Sequence, residues 1–168
     1  MNPDARATAS ISIAGVVAVT LYAAWAAVQI LVLNPMAVVP GRSLAEIHAE
    51  MEAVGEGMNI VLPLVVLGLG VVIALIVARA AIGSRMAPLG ATQLFLTVLG
   101  FGAPAYFVAS FGTGMNLADA YNVSGGDQSP WAIPLYLVSM LSFLAVIVFT
   151  VRHSRARRRL APPVASAR

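Results

Sequence analysis

The chain has 168 residues, of which 60% are hydrophobic and 10% charged, with a formal net charge of +3 and no cysteine. A soluble domain is about half apolar and about a quarter charged, so this composition excludes an ordinary soluble fold, as does a mean hydropathy of +0.88. Without cysteine there is no disulfide framework, thiolate metal site or cysteine nucleophile. All ten basic residues are arginine. With abundant alanine, valine and glycine, that usage fits a GC-rich bacterial genome.

A hydrocarbon core of about 30 Å needs roughly 20 apolar residues per helix. Such a run first occurs at about 11–33 and ends at Asn34-Pro35. It exceeds the apolar core of a signal peptide, and Arg6 before it is balanced by Asp4, so it reads as a retained span. Next comes an acidic stretch, 43–58. Ser43 with Glu46 forms a capping box. Leu44, Ile47, Met51, Val54 and Met58 then recur every three or four residues, one apolar stripe on an amphipathic helix. His48, Glu52 and Glu56 fall at i, i+4 and i+8 on another face. A histidine and two carboxylates so arranged are candidate ligands for a divalent metal, although a solvated glutamate-rich face has the same pattern. Met36, Met51, Met58 and Met115 also gather on this side, where thioethers could hold copper(I) with His48, or simply fill apolar gaps. No other cofactor is expected.

The second span covers about 59–78, with Gly68 and Gly70 as candidate close-approach positions beside Ala23 and Ala27 of the first. A short turn over about 79–91 makes it a hairpin with the third span, about 92–111. Gly100, Gly102 and Pro104 predict a kink there. Residues 112–130 read as a turn-rich loop with a helical turn near 116–121. The fourth span, about 131–151, runs into a basic tail, 152–168, expected to be partly disordered. The fold predicted is all-α: a single four-span bundle over 1–151 with an amphipathic helix between spans one and two.

None of the four spans contains Asp, Glu, Arg, Lys or His. The N-terminus, the 79–91 turn and the tail carry nine arginines against Asp4. The two loops on the other side carry Glu46, Glu50, Glu52, Glu56, Asp119 and Asp127 against Arg42. The positive-inside rule therefore predicts a multi-pass protein of the plasma membrane, in a bacterium the inner membrane, with both termini cytoplasmic. The expected partners are the bilayer, anionic headgroups at the tail, and a membrane-protein partner or a second copy. Nucleic acid is not expected, since no aromatic residues interleave with the arginines. Spans without ionisable groups argue against proton coupling. Two readings remain. One is a non-catalytic accessory or structural subunit whose acidic cap, 43–58 with 112–130, meets another protein. The other is a small transporter, channel or membrane enzyme with a site beneath the cap, for which Gln29, Tyr106, Ser110 and Asp119 are candidate contacts.

Overall fold

The structure, a computed structural model, describes residues 3–160, with side chains to residue 155. Among the described residues all regular structure is helical: α1 (Pro3–Val28), a π turn (Gln29–Leu33), α2 (Asn34–Val38), α3 (Leu44–Ala53), α4 (Val61–Gly83), α5 (Pro88–Gly100), α6 (Gly102–Tyr121), a 3₁₀ turn (Pro130–Ala132) and α7 (Ile133–Leu160). Four stretches are long and apolar enough to cross a membrane: Pro3–Val38, Val61–Gly83, Pro88–Tyr121 and Pro130–Arg155.

The first stretch does not stop at Asn34-Pro35. Pro35 has no N–H to donate, and in an α-helix its ring would press on the carbonyl four residues back. The π turn relieves this: the Asn34 N–H reaches five residues back to the Gln29 carbonyl, and the widened turn accommodates the ring. The third stretch likewise outruns its expected end. Glycines 112 and 114 do not break it, and α6 continues to Tyr121, where Asn122 takes the left-handed conformation at φ +54°. Asparagine tolerates that conformation better than most residues. At the far end, α7 runs on through residues 152–160, which were expected to begin the tail. The expected disorder of 161–168 lies outside the described residues.

α1 packs mainly on α4 and α5, α5 on α7, and α4 on α6. Small buried residues (Ala26, Ala74, Ala81 and Ala91) let the backbones approach. Gly68 and Gly70, expected at such a contact, face open space, since a methyl at either would meet nothing within 4 Å. The close approaches lie where a large ring needs room. At Gly15 a methyl would sit 2.3 Å from the Phe95 ring. Large apolar side chains point outward around the bundle, among them Leu69, Ile76 and Leu141.

The break between α5 and α6 falls at Phe101, in the expected Gly100–Pro104 region. Pro104 cannot bond the Gly100 carbonyl, and the helix opens there. In a regular helix Ala103 N–H would bond the Leu99 carbonyl. Here Ser139 Oγ of α7 stands between them. It accepts from Ala103 N–H at 2.9 Å and donates to the Leu99 carbonyl at 3.0 Å. With its hydrogen so committed, it accepts from the Tyr22 hydroxyl of α1 at 3.1 Å. Gly102 admits the arrangement, because a methyl there would lie 2.6 Å from the Tyr22 ring.

Candidate functional site at the acidic end

α3 begins at the expected capping box. Ser43 N–H donates to Glu46 Oε2 at 2.7 Å, and Glu46 N–H donates to Ser43 Oγ at 3.3 Å. The Ser43 amide and hydroxyl, donating to the Glu46 carboxylate, hold its pKa below the usual value. The helix ends at a Schellman motif: Gly55, at φ +85°, donates to the Glu52 carbonyl at 3.1 Å, and Glu56 N–H donates to the Met51 carbonyl at 2.9 Å. The helix therefore stops at Ala53, and the expected helical row of His48, Glu52 and Glu56 keeps only its first two members. His48 Nε2 meets Met58 Sδ instead, at 2.7 Å. Among the described residues no three of His, Asp and Glu gather into a group that could hold a metal ion.

The apolar stripe packs on the extended part of α6. Ile47 and Met51 are fully buried against Leu117, with Val39, Met58 and Tyr121 around them. Val54, beyond the helix end, turns outward. Three side chains of α6 then tie the cap down. Tyr121 OH lies 3.0 Å from Glu50 Oε2 and 3.4 Å from the Ile47 carbonyl. Asn116 Nδ2 donates to the Gly57 carbonyl at 2.5 Å, and Thr113 Oγ1 to the Asn59 carbonyl at 3.3 Å. Arg42 pairs with Glu50 at 3.0 Å, while Glu46, Glu52 and Asp119 remain exposed.

A second polar cluster joins α2, α6, α7 and the loop before the 3₁₀ turn. Buried Asn34, on the turn after the π segment, accepts at Oδ1 from the backbone amides of Gln128 (2.7 Å) and Ser129 (3.3 Å). This fixes the loop that carries Asp127. One Asp127 oxygen accepts from Tyr106 OH and the other from Tyr136 OH at 2.7 Å. The two rings meet edge to face, 5.7 Å apart. Gln29 is fully buried beside the Tyr106 hydroxyl. Its Nε2 donates to the Ser129 carbonyl at 3.5 Å, and its Oε1 has no partner.

Of the four expected contacts, then, Gln29 and Tyr106 come together. Ser110 bonds the Phe107 carbonyl of its own helix, and Asp119 stands exposed on the cap. Asp127, Tyr136 and Asn34 join the cluster unannounced. In the sequence Asp127 is only one of six acids in the two acidic loops, because no local spacing links a loop carboxylate to tyrosines on two helices. A separate cleft of about 400 Å³ lies beside the Phe101 break, lined by Tyr22, Leu67, Gly70, Ile73, Thr97 and Phe101. It is apolar and stands apart from the carboxylates. Comparison with protein-family models, curated proteins and solved structures finds no match to this chain.

Proposed function

We propose that the chain is a multi-pass protein of the bacterial inner membrane, with both termini cytoplasmic, that serves as a non-catalytic accessory or structural subunit. Its acidic cap, 43–58 with the outer end of α6 and the following loop, docks a partner protein with a basic face. One observation carries this reading: the exposed carboxylates of Glu46, Glu52 and Asp119 ride on backbone anchored by Tyr121, Asn116 and Thr113. A fixed array of like charge gives orientation and rate to docking. The nine-to-one arginine asymmetry supports the orientation. Arginines on the cytoplasmic side add attraction to anionic headgroups, about 1 kcal/mol each.

Since the chain has no cysteine, Glu52→Cys and Ser154→Cys report sidedness directly. An impermeant thiol reagent applied to intact cells should label position 52 alone. A photo-crosslinking residue at position 119 should capture a second protein; capture of this chain only would defeat the docking reading. The unpaired Gln29 Oε1 favours a second reading, a small-ligand site beneath the cap. A Gln29→Met variant that still captures the partner but loses the cellular activity would support it.

A further inference from the structure

The fold changes what faces His48. Spacing along the sequence aims it at carboxylates, which suit divalent ions, whereas the structure places a thioether against it. We propose that His48 and Met58 form a site for a soft monovalent metal ion, copper(I) or silver(I). Nε2 and Sδ, the donor atoms of the two side chains, converge at 2.7 Å. A thioether is only a weak hydrogen-bond acceptor, so an N–H···S bond alone gains little from this arrangement. Thioether sulfur selects copper(I), and imidazole nitrogen binds copper as well.

The backbone under both donors is fixed before any ion arrives. His48 lies in the middle of α3, which is locked by the capping box at one end and the Schellman motif at the other. Met58 lies between two anchored carbonyls, those of Gly57 and Asn59. Both residues are half-buried, so an ion can reach them. Glu52, one turn on from His48, and Glu56, two residues before Met58, raise the local concentration of cations. Zinc bonds run about 2.0 Å to nitrogen and about 2.3 Å to sulfur; on that scale an ion on a near-linear axis needs its donors about 4 Å apart. Met58 must therefore swing outward by over 1 Å, which its three side-chain torsions allow. Any proton on Nε2 leaves as the metal binds.

The test uses the purified full chain in detergent, with silver nitrate in chloride-free buffer as probe, read by calorimetry and by the methionine methyl resonances. Saturable binding of one ion is expected, with the Met58 methyl and the His48 ring resonances shifting together. Met58→Leu and His48→Phe should each weaken binding at least about tenfold, while Glu52→Gln, which removes an attracting charge but no donor atom, should weaken it less than either. Met58→Leu conserves volume, and an unchanged helical spectrum would show that the fold persists. Equal binding by Met58→Leu or His48→Phe would overturn the proposal and mark silver on the exposed Met36 or Met115 as adventitious. Tight zinc binding lost in Glu52→Gln would also overturn it, in favour of a carboxylate site. Neither result bears on docking, which is read by crosslinking.

Discussion

Replacing Ser139 with alanine removes one oxygen and strands two backbone groups of a neighbouring helix. The Leu99 carbonyl loses its donor and the Ala103 N–H its acceptor. Each buried group left unpaired costs about 1–3 kcal/mol, so the sum is about 2–6 kcal/mol before relaxation. Hydrogen bonds between side chains in membrane bundles average only about 0.6 kcal/mol, because the unfolded chain finds other partners. That discount is weaker here. The stranded groups are main-chain, and in hydrocarbon no water replaces the lost partner. Straightening the helix would restore the Ala103–Leu99 bond, but the Pro104 ring then meets the Gly100 carbonyl, and Gly102 is already against Tyr22. Relaxation is therefore partial, and we expect a loss of about 2–4 kcal/mol. The assay is equilibrium unfolding in mixed micelles with rising dodecyl sulfate, followed by far-ultraviolet circular dichroism. Ser110→Ala is the control. Its hydroxyl serves only the Phe107 carbonyl, and its loss should stay within about 0.5 kcal/mol. If Ser139→Ala matches that control, the bridging role is refuted.

In the same assay Gly102→Ala should destabilise by about 1–3 kcal/mol through overpacking against Tyr22. Gly70→Ala, facing open space, should be neutral or stabilising by up to about 1 kcal/mol; a loss there would show that the helix faces are misassigned. Tyr121→Phe should raise amide hydrogen exchange in α3 about fivefold, the equivalent of about 1 kcal/mol, and leave α4 unchanged; equal exchange in α3 would remove Tyr121 as an anchor. Because the folded pKa of Glu46 lies below its ordinary value of 4.5, the stabilisation it gives α3 is complete above that value and fades as pH falls through the lowered one. The protection of α3 amides, taken relative to their intrinsic exchange at each pH, should fall between pH 6 and pH 3, and Glu46→Gln should flatten that fall.

Four apolar stretches and an acidic amphipathic helix could be read from the residues because each is a local property. Apolar length needs no partner, and Ser43 and Glu46 find one another within a single turn. What escaped depends on distant chain. Pro35 reads as a stop unless the turn before it gains a residue. Gly112 and Gly114 read as loop, yet α6 carries through them and supplies Thr113 and Asn116 to hold the cap. Helical spacing pairs His48 with Glu56, but Gly55 ends the helix before that spacing is complete. Asp127 meets Tyr106 and Tyr136 across 21 and 9 residues, separations that carry no periodic signal. The kink was legible at Gly100–Pro104, but its stabiliser was not, since a serine in another span looks like any other.

The π turn has a consequence for how the first rod is oriented. One additional residue in a turn advances the chain by about 100° about the axis. The portion beyond it therefore looks in a direction that an unbroken α-helix would have assigned to a different side chain. Asn34 is thereby swung inward to meet the amides of Gln128 and Ser129, while Met36 is left outside. A single rod thus has two independently phased halves, one set by its contact with Phe95 and the other by the loop it secures. Losing one residue from 29–33 would revolve the upper half, turning Asn34 away from the amides it holds, and would press the Pro35 ring on the carbonyl four residues back.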